Sequence, residues 1–308
     1  MKHILVVGSS NTDMIIRVPR IPRPGETILG GEFSMAPGGK GANQAVAAAR
    51  AGGRVTFLAR VGEDVFGARA MANFEADGID ARFIMRDGRA ASGVALINVA
   101  ASGENSISVA SGANALLAPE DVQGAEKAFE RAEIVLMQLE TPLETVRAAA
   151  RIARARGIPV ILNPAPARPL GDDLLGSVSV ITPNESEAEM LTGIKFGTEV
   201  DAKQAAAALR ARGPRLVIIT MGERGCYVAG DEFEGRVPAF QMTPVDTTAA
   251  GDIFNGALAV ALAEKHPLPD ALRFASAAAA LSVMKLGAQP SAPTRQEIED
   301  FLELNSRG

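Results

Sequence analysis

The chain has 308 residues, 47% apolar and 22% charged, which supplies enough apolar material for a large core and excludes disorder as the main state. Acidic residues outnumber basic ones by 36 to 31, a net charge of −5, so the basic footprint of a nucleic-acid-binding protein is missing. One cysteine, Cys226, and two distant histidines, His3 and His266, exclude an intrachain disulfide and leave no basis for a cysteine-rich zinc site or a His-based triad.

In chain order, the apolar run 4–7 is too short for a signal peptide and reads as a buried strand, with Asn11 and Asp13 just beyond it. The stretch 12–31 then breaks the pattern, with β-prone residues 14–18 followed by Pro19, Pro22 and Pro24. A helix over 41–51, a strand at 55–59 and a helix over 66–76 come next. Residues 92–111 read as two strands, 94–99 and 106–109, around the turn-rich 101–105. Strands at 134–137, 160–162, 178–181 and 216–219 then alternate with helices over 143–156 and 203–212, and a further strand follows at 226–229. The last third reads as three helices, 251–264, 269–284 and 294–304.

Continuous apolar strands alternating with Ala-rich helices predict an α/β fold, a mostly parallel sheet with helices on both faces. The two irregular segments predict a small β layer set apart from it. No fixed repeat or long linker is visible, so a single domain, 1–308, is expected, with the β layer formed by about 12–35 and 92–111. No uncharged apolar stretch approaches the ~20 residues of a membrane helix. A soluble cytoplasmic protein is expected.

Several motifs sit at strand ends or helix starts. Gly38-Gly39-Lys40-Gly41-Ala42-Asn43 leads into a helix, where glycines permit close backbone approach and the helix N-terminus favours anionic or hydroxyl-rich groups. A Gly-rich turn reads equally well, and Gly41 after Lys40 rules out a Walker A loop. Asp246-Thr247-Thr248-Ala249-Ala250-Gly251-Asp252 opens the helix over 251–264; its small residues expose N–H donors for a phosphoryl group, and a carboxylate beside them can take a proton from a hydroxyl. Either Asp is also a good helix cap. Asn184-Glu185-Ser186-Glu187 follows a strand, where a carboxylate can orient hydrated Mg²⁺ or merely enrich a capped first turn. Thr220-Met221-Gly222-Glu223-Arg224-Gly225 suits a nucleotide or a plain hairpin turn. Asn11, Asp13 and Glu140 offer partners to vicinal hydroxyls, or make polar turns.

Together, in this order, the 38–43, 184–187 and 246–252 motifs resemble those of the ribokinase-like carbohydrate kinases over nearly the whole chain. The resemblance implies a three-layer α/β/α fold with a small β-sheet lid shared between two subunits of a homodimer. It implies ATP-dependent phosphorylation of D-ribose at O5, with kinases for deoxyribose, fructose or a nucleoside as alternatives. Asn11, Asp13, Gly39, Lys40, Asn43 and Glu140 would hold the sugar. Asp252 would be the base, with Ala249, Ala250 and Gly251 as anion hole. Asn184, Thr220, Gly222, Glu223, Gly225, Gly251 and Ser276 would contact ATP, and Glu187 would organise Mg²⁺ through water. Asp246, Thr248, Ser282, Lys285, Gly287 and Ser291 would surround K⁺, several through backbone oxygen. No nucleic-acid or membrane partner is implied. Two other classes fare worse: Gly8-Ser9-Ser10 lacks the dinucleotide fingerprint of an oxidoreductase, and the intact Asp252 motif speaks against a sugar sensor without chemistry.

Overall fold

Apolar runs without polar interruption become strands covered on both faces, and the Ala-rich segments between them become the covering helices. The computed structural model describes residues 1–29 and 31–306; Gly30, inside the expected lid stretch, and the last two residues of the expected domain, Arg307 and Gly308, lie outside the described residues. The chain runs β1 (His3–Val7), β2 (Asn11–Val18), β3 (Glu32–Gly38), α1 (Lys40–Arg50), β4 (Arg54–Gly62), α2 (Val65–Ala76), β5 (Asp80–Asp87), β6 (Gly93–Ala100) and β7 (Asn105–Ala110). It continues through α3 (Pro119–Gly124), α4 (Glu126–Arg131), β8 (Ile134–Met137), α5 (Leu143–Ala155), β9 (Val160–Leu162), α6 (Asp172–Leu175), β10 (Val180–Ile181), α7 (Glu185–Thr192) and α8 (Glu199–Ala211). It ends with β11 (Leu216–Thr220), β12 (Cys226–Ala229), β13 (Glu234–Val237), α9 (Ala250–Ala263), α10 (Leu268–Ser282) and α11 (Arg295–Leu304).

The main sheet has nine strands in the order β13-β12-β11-β10-β9-β8-β1-β4-β5. The seven from β11 to β5 are parallel, and β12 and β13 return as antiparallel strands at one edge. Alternate side chains of one strand feed opposite layers. Ile4, Val6, Leu136 and Ile161 pack with α1, α9 and α10, whereas Leu5, Val7, Val135, Met137, Val160 and Leu162 pack with α3, α4, α5 and α8. The expected three-layer architecture with a mostly parallel sheet is therefore present. No helix among the described residues is long and apolar enough to cross a membrane.

Strand order reverses at β1, with β4 on one side and β8 on the other. In open parallel sheets the crevice beyond the strand ends at such a switch point is where ligands bind. A second sheet, β3-β2-β6-β7, rises from that end, since β2 starts four residues after β1. It has four strands, one more than the irregular sequence segments suggest. β3 holds Pro37 at a sheet edge, where a missing N–H is tolerated.

Two further differences have local causes. The strand expected at 178–181 contracts to Val180–Ile181, because Val178 N–H bonds Leu175 O and closes the turn after α6. β5 was not legible as a strand because it is an edge strand with one covered side, so its apolar residues are interrupted by Asp80, Arg82, Arg86 and Asp87.

Candidate functional site

Beyond the carboxyl ends of β1 and β8, the chain turns into α1 at close range. Gly39 has φ 88°, and a Cβ there would lie 2.7 Å from Asn11 N; one on Gly41 would lie 2.4 Å from Ser9 N. Only glycine permits this approach. It lets Lys40 N–H donate to Glu140 Oε2 at 2.9 Å, an oxygen that also accepts from Ser9 Oγ at 2.5 Å. Asn11 Oδ1 accepts from Asn114 Nδ2 at 2.8 Å, and Asn114 also bonds both N–H and C=O of Ser10. Asn11, Asn43 and Asp252 are buried.

Asp252 stands at the third position of α9, whose N-cap Ala249 has a left-handed φ of 61°. A non-glycine residue there is strained, and such strain clusters at functional sites. Ala250 N–H makes a 3.3 Å turn bond to Thr247 O, and Ile253 N–H makes the first intrahelical bond, to Ala249 O. The N–H groups of Gly251 and Asp252 between them have no intrahelical acceptor and carry the positive end of the helix dipole. The Asp252 carboxylate accepts from Asn43 Nδ2 at 3.0 Å and Gln44 Nε2 at 2.9 Å. Burial pushes its pKa up, against the pull of Lys40 and both amides. Asp13 is raised to about 6 by burial and by the Glu140 and Asp252 carboxylates. Burial pulls Lys40 down, but Asp252, Glu140, Glu187 and Asp13 outweigh it and hold the ammonium charged. The cluster thus joins a cation, several carboxylates and amides around one point, a donor and acceptor set suited to hydroxyls.

A cleft of about 360 Å³ opens on the other side of the α9 mouth. Thr220, Gly222, Glu223, Gly225, Gly251 and Ser276 all line it, with Phe254, Ala279, Ala280 and Val283 as an apolar wall. The 220–225 segment does make the antiparallel hairpin of β11 and β12, and Thr220, Gly222, Glu223 and Gly225 of it line the cleft as well. Asn184 is bridged to Thr220, which puts it beside this cleft. Cys226 also lines it, but burial pushes its thiol up to about 12, so it is an inert wall atom.

Glu187 and Asn184 form a capping box: Asn184 N–H donates to Glu187 Oε2 at 2.9 Å, and Glu187 N–H to Asn184 Oδ1 at 2.8 Å. The local capping reading of this motif therefore holds. It leaves Glu187 buried within the field of Lys40 and Asp252, with burial raising its pKa. Among the described residues no group of three or more His, Cys, Asp or Glu gathers to hold a metal. A lone carboxylate fits Mg²⁺ held mostly by phosphate and water.

Asp246 ties two turns together, accepting from Thr248 N–H and Gly287 N–H at 2.9 Å each. Ser282 Oγ donates to Ala279 O and Ser291 Oγ to Ala288 O, and both serines are buried. These neutral oxygens and one carboxylate suit a monovalent cation. The Lys285 side chain points away, to Glu297 at 2.8 Å, so only its backbone could face such an ion.

The sequence did not mark Gln44, Asn114, Asn163 or Gln289 as site residues. All four are buried amides, and Gln289 Nε2 donates to Asn43 Oδ1 at 3.2 Å. The available signal was a pair of amides, Asn43-Gln44, in the first turn of an otherwise Ala-rich buried helix.

The profile of the pfkB family carbohydrate kinases matches residues 1–295. A ribokinase of Haemophilus influenzae is 46% identical over 302 residues, covering 98% of this chain and 99% of that one. A ribokinase of Bacillus subtilis is 42% identical over 302 residues, covering 98% and 100%. Among solved structures, an Arabidopsis thaliana ribokinase complexed with ribose and ATP superposes with a TM-score of 0.90 at 31% identity, covering 98% of each chain.

Proposed function

The chain belongs to the pfkB family of carbohydrate kinases, and from that premise we propose that it transfers the γ-phosphoryl group of ATP to O5 of D-ribose. The observation that carries this reading is the adjacency of Gly251 and Asp252. Gly251 lines the 360 Å³ cleft, and Asp252 closes the polar cluster behind it. A phosphoryl donor in the cleft and a hydroxyl acceptor in the cluster would meet at the first turn of α9. The full-length ribokinase relatives, and the one complexed with ribose and ATP, support the same substrates.

Asn11, Asp13, Asn43 and Glu140 orient the sugar, with Gly39 giving it room and Lys40 balancing the carboxylates. Asp252 takes the proton of the 5-hydroxyl as its oxygen bonds to phosphorus and the bond to ADP breaks. N–H groups of Gly251 and its neighbours in the 249–252 turn face the charge spreading over the phosphoryl oxygens. Asn184, Thr220, Gly222, Glu223, Gly225 and Ser276 hold the nucleotide. Mg²⁺, near Glu187, would neutralise phosphate charge, and K⁺, between the Asp246 and Gly287 turns, would stiffen the strained turn at Ala249. Needing ATP, the enzyme would work in the cytoplasm.

We propose further that residues 1–308 form one domain whose second sheet is a lid over the sugar, completed by a homodimer. Phe33, Met35 and Leu96 share one lid face and stay 62%, 40% and 54% exposed, while β7 is exposed along its whole length. A small sheet with uncovered apolar faces is marginal alone, and a twofold partner would cover it. ADP release measured over a panel of pentoses, hexoses and nucleosides tests the substrate, with D-ribose expected first and 2-deoxyribose weaker, because a lost hydroxyl leaves buried polar groups unpaired. Preference for fructose or adenosine would refute the ribose assignment alone.

A further inference from the structure

Behind Asp252 lies a chain of buried side-chain amides. Gln44, Gln138 and Asn163 are 0%, 1% and 7% exposed. Asn163 Nδ2 donates to the backbone carbonyl of Thr182 at 3.0 Å, which turns its Oδ1 toward Gln44. Gln44 Nε2 donates both to that Oδ1 at 3.1 Å and to Asp252 Oδ1 at 2.9 Å. Its own Oε1 accepts from Gln138 Nε2 at 2.5 Å.

Every orientation in this chain follows from its ends. A backbone carbonyl can only accept, so Asn163 must present its amide nitrogen there. An ionised carboxylate can only accept, so Gln44 must present its nitrogen to Asp252 and its oxygen to Gln138. Gln138 then has to offer its nitrogen, which leaves its Oε1 buried with no partner among the described residues. That oxygen lies against Gly8, where a Cβ would be 2.2 Å away. Buried acceptors are seldom left unpaired, and here the demand for a donor toward Gln44 overrides local satisfaction.

We propose that Gln44 is a positioning residue for phosphoryl transfer: locked by Asn163 and Gln138, its amide fixes the rotation of the Asp252 carboxylate and keeps it a proton acceptor. This rests on Asp252 being the base. Asn43 grips the other oxygen from the sugar side, and its amide is shared with Gln289. Gln44 grips from the core side, where no substrate reaches, so its bond persists through turnover. Without that donor the carboxylate is left in a buried site with less to favour its charged form, and its acid limb moves up.

The test compares Gln44→Met, Gln138→Met and Asp252→Asn by steady-state kinetics across pH, with thermal unfolding of each. Gln44→Met keeps length and volume but cannot donate. It should lower kcat by about 10–100-fold, leave the KM for sugar within about threefold, and raise the acid limb of kcat by about one pH unit. Gln138→Met, which frees the Gln44 amide to rotate, should move kcat and the limb in the same direction by less. If Gln44→Met does not fold, Gln138→Met carries the same test. Wild-type kcat with an unmoved acid limb in the folded variant overturns the positioning role while an inactive Asp252→Asn preserves the base. Near-normal turnover in Asp252→Asn overturns both.

Discussion

Replacing Asp252 by Asn separates chemistry from folding, because the two effects have different sizes. The carboxylate accepts one bond on each oxygen, from Gln44 and Asn43. Asn offers one acceptor and one amide nitrogen, so one of those donors meets another donor and is left unpaired, which costs about 1–3 kcal/mol. Against this stands the cost of the buried charge. Burial raises the folded-state pKa of Asp252 above its unfolded value. The stabilisation this gives is present below the unfolded value and lost as pH rises through the folded one, so at a pH above that step Asn forfeits none of it. The melting temperature should therefore fall by roughly 10 °C at most. A proton acceptor contributes ~10²–10⁴-fold, about 3–5 kcal/mol, and Asn supplies none of it. ADP release at saturating ribose and ATP should drop at least ~100-fold while the KM for ribose stays close to wild type. Turnover within a few-fold of wild type, with or without a change in melting, would refute the base assignment and leave Asp252 as a helix cap.

Three other outcomes follow from the same geometry. Asp13 titrates at about 6, raised by burial and by Glu140 and Asp252, so calorimetric ribose affinity should fall as pH drops through that value and the step should vanish in Asp13→Asn; its raised pKa stabilises the fold only below the ordinary carboxylate range and this is lost through about 6, so Asp13→Asn should melt no lower than wild type at alkaline pH. Charging one lid face with Phe33→Asp and Leu96→Asp together should halve the mass seen by light scattering and weaken ribose binding, and an unchanged mass would place the dimer elsewhere. Activity should rise when K⁺ replaces tetramethylammonium, because Asp246 and its neighbouring oxygens would hold a small monovalent cation and not a bulky organic one; equal rates in both salts would remove the cation site.

The central sheet was legible because its strands are buried on both faces and so carry continuous apolar runs such as 134–137 and 160–162. β5 and β13 escaped because edge strands need only one apolar side. Motifs set by backbone geometry could be placed: the glycines at 39 and 41 are where the chain passes closest to Asn11 and Ser9, and the small residues before Asp252 are where φ turns positive. Thr220, Gly222, Glu223 and Gly225 on one side and Ser276 on the other, far apart in sequence, do line one cleft. What sequence could not supply was the amide chain behind Asp252. Gln44 lies on α1, and Gln138 and Asn163 lie just past the ends of β8 and β9; the Asn43-Gln44 pair hints at buried amides, but no local pattern shows which carboxylate they orient.

The central claim is that one phosphoryl group passes from ATP to the 5-hydroxyl of ribose at the mouth of α9. Phosphorus NMR of the purified protein with ATP, Mg²⁺, K⁺ and D-ribose tests it directly. The account predicts a new phosphomonoester resonance, coupled to the C5 protons of the sugar, growing in step with ADP and absent with Asp252→Asn. ADP formation without a sugar phosphomonoester, or a phosphate on another hydroxyl, would contradict it.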